Sequence, residues 1–129
     1  KAREKLERGG KTSYCQSHDD LNNITTAKLA KMANAGDEDA LELFRISAEK
    51  LGEGLSIIID VLNPERIVIG SVYARNQQLF DDLTEKVIEK EALSGAWNVC
   101  KIVPAELGEK VGDYAALSVA MDGYSLLNS

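Results

Sequence analysis

Leu51 to Ser71, LGEGLSIIIDVLNPERIVIGS, constrains the fold of this chain more than any other stretch. It reads as the end of a long helix, a short turn, a buried strand and a glycine. Ile57, Ile58 and Ile59 are consecutive and cannot all face one side of a helix, so the helix end is expected to be covered on most of its circumference. Asn63-Pro64 ends it, because proline lacks the amide proton and pushes the preceding residue out of the α region. Ile67-Val68-Ile69 follows as a β-branched run, the pattern of a strand with both faces covered in a parallel sheet. A helix that feeds such a strand through a minimal turn, with Gly70 where the strand ends, is one unit of an α/β fold. Ligands in such folds sit at the carboxyl ends of the strands.

Upstream, Lys1 to Arg8 alternates charges at helical spacing and stops at Gly9-Gly10. Residues 11–24, KTSYCQSHDDLNNI, are polar and turn-prone and read as a surface connection. Thr25 or Thr26 caps a short helix closed by Gly36, and Asp37 is the N-cap of the long helix. In that helix Leu41, Phe44, Ala48, Leu51, Leu55, Ile58 and Leu62 form one apolar stripe. Gly52 and Gly54 each cost roughly 1 kcal/mol against alanine in a helix interior. Both are therefore expected where another helix or a ligand approaches the backbone.

Downstream of Gly70 the pattern predicts a helix from about Gln77 to Glu91, with Asp81 and Asp82 in its first turns, where the helix dipole favours them. Asn98 to Pro104 reads as a second strand, Gly108 as a break, and Val111 to Met121 as a last helix. Its small residues (Gly112, Ala115, Ala116, Ser118, Ala120) would let that helix lie close to the sheet. The expected order is α-α-α-β-α-β-α. Two strands do not make a stable sheet alone, and Lys1 falls inside what reads as a running helix. Residues 1–129 are thus expected to be a single fragment of a longer protein, with earlier strands missing or supplied elsewhere.

Net charge is −6, from 15 Lys+Arg against 21 Asp+Glu, which argues against nucleic acid as a partner of this segment. No apolar run approaches the roughly 20 residues needed to span a bilayer, so no membrane partner is expected. Cys15 and Cys100 are far apart and lack a CxxC partner, which fits a cytoplasmic protein with reduced thiols and no metal site.

Catalytic sets are hard to assemble from these residues. His18, beside Asp19 and Asp20, reads as a solvated loop residue. Asp60 and Asp113 are either functional carboxylates or helix-capping and surface groups. There is no GxGxxG, no P-loop, and no serine or cysteine with a plausible general base. Gly70 and the segment Gly108 to Gly112 are candidate anion sites, since amides at strand ends and helix N-termini bind phosphate, or else they simply shape turns.

The joined pattern LGEGLSIIIDVLNPERIVIGS resembles the ROK family of bacterial sugar kinases and sugar-responsive repressors, in which LGxGLANLINLLNPExIVIGGG is typical. Leu51, Gly52, Gly54, Leu55, Leu62, Asn63, Pro64, Glu65, Ile67, Val68, Ile69 and Gly70 match. AGDEDALELF (Ala35 to Phe44) is similar to the family's AGDxxAxEI segment, and Ile102 to Ala120 to its closing IVPAALGDxAGLIGAAxLA. KAREKL resembles a glucokinase-like stretch, and GSVYARNQQLF a subgroup in which the glycine triplet is replaced.

That resemblance implies an α/β fold of the actin-like (ribonuclease H-like) ATPase type, with this chain as the C-terminal portion of one lobe. It places Gly70, Ser71 and Val72 on the adenosine side of ATP, with Mg on the phosphates of the full-length protein. Ser71 and Val72 stand where members carry further glycines, and a valine resists positive φ. The family's DxGxT phosphate loop, catalytic aspartate, sugar-binding ExGH and zinc motif CxCGxxGC have no counterpart here. No catalytic residue and no metal ligand is therefore assigned, and the sugar substrate or effector would be held by upstream residues. The resemblance implies, first, the nucleotide-side segment of an ATP-dependent, glucokinase-like sugar kinase, inactive as a fragment. The alternative is the C-terminal body of a sugar-responsive transcriptional repressor. A third reading makes the long helix an assembly surface of a homo-oligomer.

Overall fold

The computed structural model describes the backbone of residues 1–127, and their side-chain environments except at residues 109 and 122–127. The fold is laid on one helix, α3 (Glu38–Leu62). Asp37 caps it as expected, its Oδ1 accepting from the Ala40 N–H at 2.9 Å. Asn63 ends it in the left-handed region, with φ of 44°, and donates its N–H to Ile59 O at 2.8 Å. Two smaller helices lead into it. α1 (Ala2–Glu7) stops at Gly9, whose φ is 77°. α2 (Thr26–Asn34) starts with Thr25 Oγ1 accepting from Lys28 N and gives way to Gly36 at φ 86°.

α3 buries Ala40, Phe44, Ala48, Gly52, Leu55, Ser56 and Ile59. The inner stripe is thus rotated from the expected one, with Ile59 taking the place of Ile58. The expected wrapping of the helix end is also absent among the described residues. Ile57, Val61 and Leu62 are 65%, 74% and 69% exposed. The reason is that α2, α5 (Asp81–Glu91) and the sheet all pack along one side of α3.

Strands β1 (Arg66–Ile69) and β2 (Lys101–Pro104) pair in parallel, with Arg66 opposite Lys101 and Ile69 opposite Pro104. Ile67, Ile69 and Ile102 pack against Leu55, Ile59, Ile88 and Cys100. Val68 points the other way and is 60% exposed. A strand that reads as covered on both faces is therefore covered on one. The thiol of Cys100 is pushed up by burial in this cluster.

Gly52 meets its expectation. A Cβ there would lie 2.7 Å from Val87 Cβ and 3.0 Å from Thr84 O, so α5 crosses α3 at this point. Thr84 Oγ1 donates to Ala48 O across the same crossing, at 3.3 Å. Gly54 does not meet it, since a Cβ there would have nothing within 4 Å.

The helix expected from about Gln77 to Glu91 forms as α5 from Asp81 to Glu91, with a 3₁₀ turn (Gln77–Leu79) in place of its first turn, and a five-residue helix α4 (Ser71–Arg75) that was not expected precedes both. Asn76 sits between α4 and the 3₁₀ turn, nearly buried, with Nδ2 donating to Val72 O at 2.9 Å. The side chain takes a carbonyl and the chain turns rather than continuing helical. A further short helix, α6 (Ser94–Trp97), shortens the expected second strand.

Two further expectations are corrected. Within residues 11–24, Thr12, Tyr14 and Cys15 are buried, because Thr12 and Cys15 exchange both backbone hydrogen bonds (3.0 and 3.2 Å) and fold the segment onto itself. The last helix, α7 (Val111–Leu127), does not lie close against the sheet, and its described side chains from Val111 to Met121 are exposed. A sheet only two strands wide offers little surface beneath it.

Candidate ligand site at the strand ends

Because β1 and β2 are parallel, both carboxyl ends open on the same side, and the loops that leave them face each other. Ala105 N, just past β2, donates to Ile69 O at 2.9 Å and ties the two exits together. Between them lies a cavity of about 150 Å³ lined by Gly70, Ser71, Ala74, Arg75, Ala105, Gly108 and Val111. It stands where α/β folds place ligands.

Gly70 borders this cavity in an extended conformation (φ −99°, ψ −159°). A Cβ on it would rest 3.6 Å from Ala105 Cβ, an ordinary contact, so space alone does not require glycine there. The left-handed residue is the next one: Ser71 has φ of 55°. A non-glycine side chain thus occupies the one position in this loop whose backbone favours glycine. Val72 is spared that strain. It is helical in α4, and its side chain packs against the core around Phe44 and Phe80 rather than lining the cavity. On the opposite rim Gly108 has φ of 52°.

α4 is held by its neighbours. Tyr73 is buried and donates its hydroxyl to Asp81 Oδ1 at 2.7 Å. Burial, followed by the Asp81 carboxylate, pushes the phenol well above its ordinary range. The Tyr73 ring also packs on Phe80 (5.8 Å between centroids), which meets Phe44 edge-on at 5.5 Å. Arg75, one turn beyond Ser71, lines the cavity wall. Its approach, and that of Ala105, follow from the helical turn after Gly70 and from the parallel register; neither was singled out from sequence.

The other candidates lie elsewhere and do not assemble. His18 is exposed, with its carbonyl accepting from Leu21 N at 3.2 Å. Asp20 turns from it to accept Gln16 N (2.8 Å), Ser17 N (2.9 Å) and Ser17 Oγ (3.2 Å). Those backbone donors hold its carboxyl below the usual range. Asp60 Oδ1 accepts from Leu93 N at 2.8 Å, which ties α3 to the residue before α6. Asp113 is exposed in the first turn of α7. Among the described residues no group of three His, Cys, Asp or Glu side chains could hold a metal ion.

The ROK family model matches residues 7–122. The chain belongs to the ROK family. Among curated ROK relatives it is similar to the DNA-binding transcriptional dual regulator NagC of Escherichia coli (strain K12) and to an N-acetylglucosamine repressor of Shigella flexneri. Each is 29% identical over 108 residues, 82% of this chain and 27% of the relative. Among solved structures the fold is similar to a ROK family transcriptional regulator described as a homologue of the E. coli MLC protein. The TM-score is 0.65 at 21% identity, over 80% of this chain and 25% of that one. The chain thus spans about a quarter of the length of the relatives it matches. Among the described residues no helix is long and apolar enough to cross a membrane.

Proposed function

We propose that this ROK segment is the C-terminal part of a sugar-responsive transcriptional regulator, with the actin-like lobe architecture of its family. The observation that carries this reading is that the similar curated proteins are regulators over 82% of the chain. The strand-end loop supports it, because Ser71 stands in the left-handed position where a family kinase has glycine. In this reading an amino sugar or related sugar is the effector, bound by residues outside this segment. The full protein works in the cytoplasm as a homo-oligomer, and DNA is contacted outside this acidic segment.

The family's kinases take ATP with Mg, so the cavity is the place to test that cofactor. At about 150 Å³ it is smaller than the roughly 300 Å³ at which small-molecule pockets begin. Gly70, Ser71 and Arg75 can border one edge of a nucleotide but do not enclose one. Val72, in the core, makes no part of such a wall. The kinase reading therefore rests on the position of the cavity and on the glucokinase-like resemblance of KAREKL.

One experiment separates the two readings. The full-length protein is titrated onto operator-containing DNA with and without N-acetylglucosamine, and assayed in parallel for ATP-dependent phosphorylation of that sugar. A regulator releases or tightens on DNA with sugar and forms no sugar phosphate. Turnover of ATP into sugar phosphate, with no DNA binding, would replace this reading by the kinase.

A further inference from the structure

Arg66 and Lys101 stand opposite each other in the parallel ladder, and Val68 stands opposite Val103. Residues in register across a ladder project to the same face. Alternation along each strand puts these four on the side away from Ile67, Ile69 and Ile102. That face carries two cations at one end and two valines beyond them. Arg66 and Lys101 are exposed, and Val68 is 60% exposed. The two strands run about 5 Å apart, and like charges directly opposite destabilise a sheet. Among the described residues neither cation makes an ion pair. Both border an open hollow of about 650 Å³ whose other walls are Glu65 and Val99, so two positive groups share it with one negative group. In a chain with a net charge of −6, this local excess of positive charge is the exception.

A parallel sheet is ordinarily covered on both faces, and here α3 and α5 cover only one. A layer laid on the other face would meet the valines with apolar side chains, but it would also take Arg66 and Lys101 out of water. Burying two unpaired cations costs more than the apolar contact returns, so such a layer has to bring an acid to this end. We propose that a segment of the same protein outside residues 1–129 covers the outer face of the sheet and sets an Asp or Glu carboxylate between Arg66 and Lys101. Two carboxylate oxygens can accept from both side chains at once, and together with Glu65 they balance the charge of the hollow. This chain spans about a quarter of the length of its relatives, so most of such a protein lies outside it. The contact rests on the reading of these residues as part of a longer ROK protein, and it is the same in a regulator and in a kinase.

Carbodiimide coupling of the full-length protein tests it. The reagent activates a carboxyl group, the Lys101 amine displaces it as a urea, and the resulting amide joins side chains already in contact. Mass spectrometry should find Lys101 joined to an Asp or Glu outside residues 1–129 and within one molecule. A mixture of isotope-labelled and unlabelled protein shows the latter, because joins between molecules carry both labels. Lys101→Arg should fold and lose the join, since a guanidinium keeps the charge but is not coupled. Lys101→Glu and Arg66→Glu should each lower the melting temperature by about 5 °C or more, because each sets a second carboxylate against the first. In a longer protein, Lys101 joined only to Glu65 or to another molecule, no join at Lys101, or charge reversals that leave the melting temperature unchanged would overturn the proposal and leave the functional reading standing. A natural protein that consists of these 129 residues alone would overturn both.

Discussion

Ser13 Oγ donates to Asp37 Oδ1 at 2.7 Å, and the same oxygen accepts the Ala40 N–H at 2.9 Å. One carboxylate therefore both starts α3 and holds the loop after α1 against it. Ser13 N adds a bond to Asp39 Oδ2 at 2.8 Å. Asp37→Ala should cost about 1–2 kcal/mol, the upper range for an N-cap, and Ser13→Ala about half of that. Urea unfolding of the two single variants and the double variant measures both. Strict additivity would show that the shared oxygen does not couple them.

This double role shows what the sequence can and cannot disclose. The cap was legible, because aspartate before a helical run is a local signal. The Ser13 bond was not, because it joins residues 24 apart. The same division holds across the fold. Asn63-Pro64, Gly36 and Gly52 announced turns and a crossing that depend on backbone chemistry. The rotation of the α3 stripe, the fold of residues 12–15 and the exposure of Val68 depend on which elements surround a residue, which apolar spacing does not specify. At the strand ends Gly70 was legible as a position, whereas the left-handed conformation fell on Ser71. Arg75 and Ala105 join the cavity only through the register of β1 with β2.

Ser71 should be improved by glycine. A left-handed conformation costs an ordinary residue roughly 1–2 kcal/mol, and glycine gives back part of that in unfolded-chain entropy. Ser71→Gly should therefore raise stability by about 0.5–1 kcal/mol, while Ser71→Val should lower it by more than 1 kcal/mol, roughly. Thermal melts of the two variants give the signs. Destabilisation by glycine would mean that the Ser71 side chain contributes more than its backbone costs.

Gly52 and Gly54 should respond in opposite directions. Alanine at 52 puts a methyl 2.7 Å from Val87 Cβ, so α5 must shift, at about 1–3 kcal/mol. Alanine at 54 meets nothing and should stabilise the folding of the dissociated chain by roughly 1 kcal/mol. Denaturant midpoints at low protein concentration separate this from any effect on self-association.

Acid should loosen the N-terminal junction first. Asp39 has its carboxyl lowered, chiefly by the Ser13 N–H and then by Lys5, whose Nζ lies 3.0 Å from Oδ1. A carboxyl that is lower in the folded state than in the unfolded one stabilises the fold above the unfolded value. That stability is lost as pH falls through the folded value, here below about 4. The pair is largely solvent-screened, so the contribution is small. Asp39→Asn should be less stable than the parent near neutral pH and close to it at about pH 2–3, where the parent carboxyl is protonated. Urea midpoints measured across that range test the sign.

Alkali should act on the core cluster around Phe44 and Phe80. Tyr73 is raised by burial and by Asp81, so its neutral form belongs to the fold. Stability from a group raised in the folded state is complete below the unfolded value and declines above it, here from about pH 10. Tyr73→Phe keeps the ring against Phe80 and removes the bond to Asp81 Oδ1, at a cost of about 1 kcal/mol. It should also remove the share of alkaline destabilisation that Tyr73 carries, leaving that of Tyr14, whose phenol burial likewise raises. If unfolding midpoints of Tyr73→Phe and parent fell in parallel above about pH 10, the alkaline loss would lie with other groups and the Tyr73–Asp81 contact would not be its source.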